Sequence, residues 1–167
     1  AGTIHINDGA AATAIEFVTL QIVGSVGATA MRFSNDGLTW TGLGTSIFST
    51  FVRGICSTRD MIVAVGSGAN TIAYSLDFIN WIGIGTEIFD LYGTSVHTNK
   101  AIWIALGKGS KNTLAWSFDG ITWIGLGKSI FDDKGIFADW DGNKWVAVGS
   151  SDGATGGTTM AYSYDGI

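Results

Sequence analysis

Proline is absent from this 167-residue chain, and cysteine occurs once, at Cys56. A single thiol closes no intrachain disulfide and builds no multi-cysteine metal site; in a strand-like run it reads as a small buried hydrophobe. Charge is also scarce, at 14% of residues, too little for the polar faces of surface helices. The nine basic residues are scattered and outnumbered by fourteen acidic ones, for a net charge of -5. A nucleic acid or an anionic membrane surface selects a Lys/Arg face, so neither is an expected partner. No stretch approaches the roughly 18 apolar residues of a membrane span, so no membrane insertion is expected. Ala1-Gly2-Thr3-Ile4 carries neither the basic nor the apolar segment of a secretory signal, as a processed N-terminus would also look.

What the chain has is glycine, 25 residues of it, and a 46% hydrophobic share. With no proline, that combination suits short β-strands joined by tight turns around one real core. Four segments repeat. They are Ser34-Asn35-Asp36-Gly37-Leu38-Thr39-Trp40, Ser75-Leu76-Asp77-Phe78-Ile79-Asn80-Trp81, Ser117-Phe118-Asp119-Gly120-Ile121-Thr122-Trp123 and Ser163-Tyr164-Asp165-Gly166-Ile167. The period is about 42 residues. The flanks recur as well: Gly42-Leu43-Gly44 with Ile47-Phe48, Gly83-Ile84-Gly85 with Ile88-Phe89, and Gly125-Leu126-Gly127 with Ile130-Phe131 follow the motif, and apolar runs such as Ile62 to Gly66 and Trp145 to Gly149 precede it.

Each unit reads as four short strands. In the best-defined one, Gly135 to Ala138 forms strand one, Asp141 to Lys144 a turn, Trp145 to Gly149 strand two and Thr158 to Tyr162 strand three, with the outer strand seen in Thr122 to Gly127. Strand two is apolar almost throughout, as a strand covered on both faces should be. In the motif turn the Asp carboxylate accepts backbone N–H groups, Gly supplies a positive φ and Trp anchors the outgoing strand. Phe78 stands where the other copies carry Gly, so that turn must differ or carry strain. The expected fold is all-β, a propeller-like array of about four four-stranded antiparallel blades in one domain, with units near 14–51, 52–92, 93–134 and 135–167. Residues 1–13, with the alternating run Thr3-Ile4-His5-Ile6-Asn7, offer a strand for ring closure. Continuation of the array beyond this chain is the first expectation for how a ring is completed, ahead of a small closed ring or association of copies.

The turn resembles a shortened Asp-box, the bacterial-neuraminidase repeat of sialidases, sortilin-like receptors and many secreted or viral propellers; the usual form has one more residue between Asp and Gly. The whole unit is similar to repeat arrays in predicted proteins of large DNA viruses and aquatic microbes. These resemblances imply an extracellular or particle-surface protein.

No catalytic constellation accompanies the repeat. A sialidase needs three arginines from separate blades and a Tyr activated by Glu, whereas Arg32, Arg53 and Arg59 cluster near the first unit and the glutamates are Glu16 and Glu87 alone. His5 and His97 are isolated, and the Asp139-Trp140-Asp141-Gly142-Asn143 run lacks the later bidentate Glu of a calcium loop. No cofactor or metal is expected. The motif residues Ser34, Asp36, Gly37, Trp40, Ser75, Asp77, Trp81, Ser117, Asp119, Gly120, Trp123, Ser163, Asp165 and Gly166 are read as structural. A ligand belongs on the opposite rim, where the repeat varies: Asn70, Lys108, Lys111, Asn112 and Asp152 in the loops between strands two and three, Glu87, Asp90, Asp132 and Asp133 in the connections between units. Trp140 is the best non-repeating aromatic for stacking on a sugar. The sequence therefore reads as a noncatalytic structural or adhesive module binding glycan or protein through that rim. The alternative is a fragment of an Asp-box glycoside hydrolase whose catalytic residues lie outside it.

Overall fold

The computed structural model describes residues 19–22, 31–34, 38–153 and 158–167, with the side chains of 19–22 excepted. Among them there is no helix, and fourteen strands form four antiparallel sheets. The first sheet holds β1 (Thr19–Ile22), β2 (Met31–Ser34) and β3 (Thr41–Gly42), and the second β4 (Phe51–Ser57), β5 (Ile62–Ser67), β6 (Ile72–Ser75) and β7 (Ile82–Gly83). The third holds β8 (Tyr92–Thr98), β9 (Trp103–Lys108), β10 (Leu114–Ser117) and β11 (Ile124–Gly125), and the fourth β12 (Lys134–Trp140), β13 (Trp145–Ser150) and β14 (Met160–Ser163). Every sheet follows chain order, as consecutive hairpins do. The expected four strands per unit are thus present in two sheets, and the other two have three among the described residues. The Thr3 to Asn7 run and residues 1–13 lie outside the described residues.

Strand boundaries differ from the sequence reading in a regular way. The outer strand is not Thr122 to Gly127 but the two residues Ile124–Gly125. Gly127 bends the chain with φ of +75°, its N–H donates to Asn112 Oδ1 at 3.0 Å, and its carbonyl accepts from the Thr113 N–H at 3.0 Å. Strand one runs longer than Gly135 to Ala138, because a β-bulge between Gly135 and Phe137 lets pairing continue to Trp140. The same bulge recurs at Val52/Gly54 and Gly93/Ser95.

Register explains how the sheets stack. In an antiparallel ladder paired residues share a face and neighbours alternate. One face of the second sheet carries Val63, Val65, Ile72 and Tyr74, and these pack on Val96, Trp103, Ala105 and Ala115 of the third. The opposite face of the third carries Ile104, Leu106, Leu114 and Trp116, which pack on Ala138, Trp145, Ala147 and Ala161 of the fourth. Met31 of the first sheet likewise meets Ala64 and Ala73 of the second. Large aliphatic side chains on each sheet face paired alanines on the next, so that the layers interdigitate.

This stacking accounts for the apolar character of strand two. β5 and β9 are buried at five consecutive positions, because each has a sheet on both sides. β13 alternates instead: Trp145 and Ala147 are buried while Val146 and Val148 are half-buried. Its second face, with Met160 and Tyr162 about two-thirds exposed, has no sheet against it among the described residues.

A second device recurs at the end of strand two. Phe48, Phe89 and Phe131 are essentially fully buried, and their rings lie over Gly66, Gly107 and Gly149 respectively. A Cβ on Gly107 would stand 2.7 Å from the Phe89 ring, so glycine there is required by the close approach of the ring.

Candidate functional site

Two ends of the stack carry the polar residues, and they are built for different purposes. At the motif end, Asp77, Asp119 and Asp165 each hold their own turn. The Asp119 carboxylate accepts from Ile121 N–H at 2.8 Å, Thr122 N–H at 2.7 Å and Ser117 Oγ at 2.8 Å. Asp77 accepts from Ile79 and Asn80 N–H at 2.9 and 2.7 Å, and Asp165 from Ile167 N–H at 3.0 Å. Ser75 and Ser163 also donate to the Asp of their own turns. Ser34, Ser75 and Ser117 are buried, while Asp36 and Gly37 lie outside the described residues. Of the motif tryptophans, Trp123 is buried between the second and third sheets and its Nε1 donates to the Gly120 carbonyl at 3.2 Å; Trp81 and Trp40 are half-buried.

The third copy shows why glycine follows the Asp. Gly120 has φ of +72°, and a Cβ there would lie 2.7 Å from Met61 Sδ and 3.2 Å from Trp103. Gly166 repeats the conformation at +84°, and Phe78 adopts it with a side chain, at 66°. A non-glycine residue in this region is strained by about 1–2 kcal/mol. Gly120→Ala should therefore lower stability by about 1–2 kcal/mol, strain and contact together outweighing the entropy gained by removing a glycine; a denaturant midpoint measures it.

These bonds hold the turn carboxyls ionised. At Asp119 partial desolvation, the largest single influence, acts upward, but the Thr122 and Ile121 N–H groups and the Ser117 hydroxyl outweigh it and bring the group to about 2 from an ordinary 3.8. The Asn80 amide, with the Asn80 and Ile79 N–H groups, depresses Asp77 still further. A depressed folded-state value means that the carboxylate contributes stability above the unfolded value and loses it as pH falls toward the folded one. Stability should stay level from about pH 7 to pH 5 and then drop between about pH 4 and pH 2. Asp119→Asn should be less stable than the parent at neutral pH, with the difference narrowing from about pH 4 and vanishing only below the folded value of about 2, as thermal melts across that range will register.

At the opposite end, several residues singled out as ligand candidates make hydrogen bonds within the chain. The Asn70 amide donates to the Ile47 carbonyl at 2.9 Å and accepts from Gly85 N–H at 2.8 Å; Asn112 does the same with Ile88 at 3.0 Å and Gly127. Each amide bridges the connection from the preceding unit and a residue that follows its own outer strand. Lys108 Nζ pairs with Asp133 Oδ1 at 2.6 Å, and Ser150 donates to the other Asp133 oxygen at 2.8 Å. The pairing raises the Lys108 ammonium and lowers the Asp133 carboxyl. Asp132, buried, accepts from Ser151 Oγ at 3.0 Å and from Asp152 N–H at 3.1 Å.

Of the other candidates, the Asp152 side chain is exposed on its own loop, whereas the structure brings Glu87, Asp90 and Lys111 together. With Thr86 and Ile88 they line an open cleft of about 150 Å³, where the connection after the second unit meets the loop of the third. Asp90 is fixed there by Ser110, whose N–H donates at 2.7 Å and whose hydroxyl donates at 2.5 Å, the main reason its carboxyl sits below the ordinary value. The cleft therefore offers two carboxylates, an ammonium and a hydroxyl, a set that exchanges hydrogen bonds with polyhydroxylated or basic groups.

The aromatics fall differently from the sequence reading. Trp140 is half-buried and packs against Trp145 of the core with ring centroids 5.5 Å apart, leaving only part of its surface open. Tyr162 and Tyr164 are the exposed pair, 5.9 Å apart and edge-on. Their exposure was not legible, since Tyr162 aligns with the more covered Tyr74 and Trp116.

Cys56, His97 and Asp139 pair with Val63, Ile104 and Val146, which are equivalent positions in three consecutive units. His97 Nδ1 lies 3.9 Å from Asp139 Oδ1, and its ring meets Phe137 edge-on at 4.5 Å. Burial pushes the Cys56 thiol up and the His97 imidazole down, opposite to the shifts that activate a thiolate through a protonated imidazole. Among the described residues no group of three His, Cys, Asp or Glu side chains is arranged to hold a metal ion. The Asp141 carboxylate is used by its own turn, accepting from Asn143 and Lys144 N–H at 2.8 Å each.

Neither a protein-family model nor a curated protein matches the chain. Among solved structures it is similar to the computationally designed Ika8 protein, with 17% identity and a TM-score of 0.54, over 81% of this chain and 43% of that one. The chain spans less than half the length of that design. At this identity the likeness concerns the fold alone.

Proposed function

We propose that this chain is a noncatalytic, Asp-box-type propeller-like module, structural or adhesive, that works at a particle surface or outside the cell. It binds a glycan or a protein through the rim opposite the motif turns. The observation that carries this reading is the division of labour between the two ends. At the motif end the described Asp carboxylates are committed to their own turns, whereas Glu87, Asp90 and Lys111 face one open cleft. Both signs of charge within about 150 Å³ suit sugar hydroxyls or a polar protein loop, and the overall charge of -5 disfavours polyanions. Among the described residues no helix is long and apolar enough to cross a membrane.

The test is a glycan and protein array probed with the parent chain and with Glu87→Ala/Lys111→Ala. Both side chains sit on exposed loops, so the melting temperature should hold while rim binding falls by about tenfold or more, or about 1.4 kcal/mol. Specific turnover of a labelled glycoside, abolished by substituting one Asp or Glu, would overturn the noncatalytic reading in favour of a hydrolase.

A further inference from the structure

The end of the stack opposite the motif turns carries a second polar group, built on the bulges of strand one. Arg53 is the extra residue of the bulge in β4, as Thr94 and Ile136 are in β8 and β12. This position reaches toward the next unit. The Thr94 hydroxyl donates to the Gly135 carbonyl at 2.7 Å, and the Arg53 side chain crosses to Tyr92. The two make the crossing differently. Thr94 uses its hydroxyl, whereas the Arg53 guanidinium lies over aromatic rings, with Cζ 4.6 Å from the Tyr92 centroid and 5.3 Å from that of Phe51. Contact with a ring face engages the guanidinium plane and leaves its N–H donors free at the edge. Arg53 is exposed, and among the described residues no carboxylate pairs with it.

The surroundings are cationic. Tyr92 stands opposite Lys108 in the β8–β9 ladder, so both project from one face. Lys134 opens β12 as Tyr92 opens β8, beside the Gly135 that Thr94 contacts. Against Arg53, Lys108 and Lys134 stand Asp133, bonded to Lys108 at 2.6 Å, and Asp152, whose charge bears on the same ammonium. Three cations against two carboxylates leave one positive charge in excess, in a chain whose net charge is -5.

We infer that Arg53, held on the Tyr92 and Phe51 rings, anchors an Asp or Glu side chain on an exposed segment of a protein partner. The guanidinium fork matches a carboxylate in a bidentate pair, and Arg beside Tyr is the composition of interface hot spots. A sugar acid fits less well, because the ring faces on which a pyranose would stack are occupied by the guanidinium. A single excess charge suits one or two carboxylates rather than a polyanion. The inference goes beyond the rim reading above and uses none of the cleft residues Glu87, Asp90 and Lys111.

The probe is a capped Gly-Ser-Asp-Asp-Gly peptide, titrated into the full 167-residue chain while the Arg53 Nε–H and Tyr92 ring resonances are followed. A saturable shift of both is expected, weakening as salt rises. The Gly-Ser-Asn-Asn-Gly peptide, and Arg53→Ala followed through Tyr92, should each bind about tenfold more weakly or worse. Arg53→Lys keeps the charge but loses the fork, so its affinity should fall between parent and alanine. Both variants should melt with the parent, since the side chain is exposed. Glu87→Ala/Lys111→Ala, which disables the cleft, should bind the peptide within about twofold of the parent at about 0.15 M salt, where separated surface charges are screened. A failed cleft and a failed Arg53 site therefore give different results. The inference is overturned if the peptide fails to saturate at millimolar concentration, if the asparagine peptide binds equally well, if folded Arg53→Ala binds unchanged, or if glucuronate saturates the same resonances at lower concentration than the peptide.

Discussion

Phe89→Ala should lower the stability of the chain by about 3–5 kcal/mol. The ring is fully buried between the second and third sheets and rests on Gly107, so its loss leaves a cavity whose rigid wall is backbone. Collapse is blocked because β8 and β9 are paired on either side of the gap. Domains of this size are typically stable by 5–15 kcal/mol, so the variant should unfold at markedly lower denaturant. The denaturant midpoint at unchanged slope is the measurement, and a loss under about 1 kcal/mol would mean that the ring carries little of the interface.

The second large effect separates two alanines that the repeat makes equivalent. Ala115 is fully buried against Val63, Val65 and Ile72, with no room for growth. Ala115→Leu should destabilise by about 1–3 kcal/mol through overpacking. Ala161 is half-buried beside the cavity of about 150 Å³. Ala161→Leu should be neutral or slightly stabilising, since the added carbons enter empty apolar space. Thermal melts of the two variants side by side decide this: equal losses would show that the interface between the third and fourth sheets is as tightly filled as the one before it.

Different parts of this molecule were legible to different degrees. The Ser-x-Asp turns could be read because their hydrogen bonds reach residues only two to four positions away. Strand two could be read because burial on both faces removes polar residues from the letters themselves. Asn70 and Asn112 could not, since their partners lie 15 to 24 residues off and an amide in a loop looks the same whether it faces water or clamps a carbonyl. The outer strands were overread, because the pattern of Thr122 to Gly127 continues past the bend at Gly127. The row of Cys56, His97 and Asp139 was latent in the alignment, but it becomes visible only when strand one is extended through its bulge.

By itself the sequence determined the recurring unit, the all-β class and the turn chemistry, because local hydrogen bonds and the two-residue period of a strand are written in adjacent letters. Only the tertiary structure decided which loop amides bridge neighbouring connections and which loop residues share a cleft, that Trp140 packs against the core while Tyr162 is exposed, and that a cavity of about 150 Å³ lies between the third and fourth sheets. Those outcomes depend on how one sheet seats against the next. That seating is set by side-chain volumes some forty residues apart, such as Ile104 and Leu106 against Ala147, and no local pattern encodes their meeting.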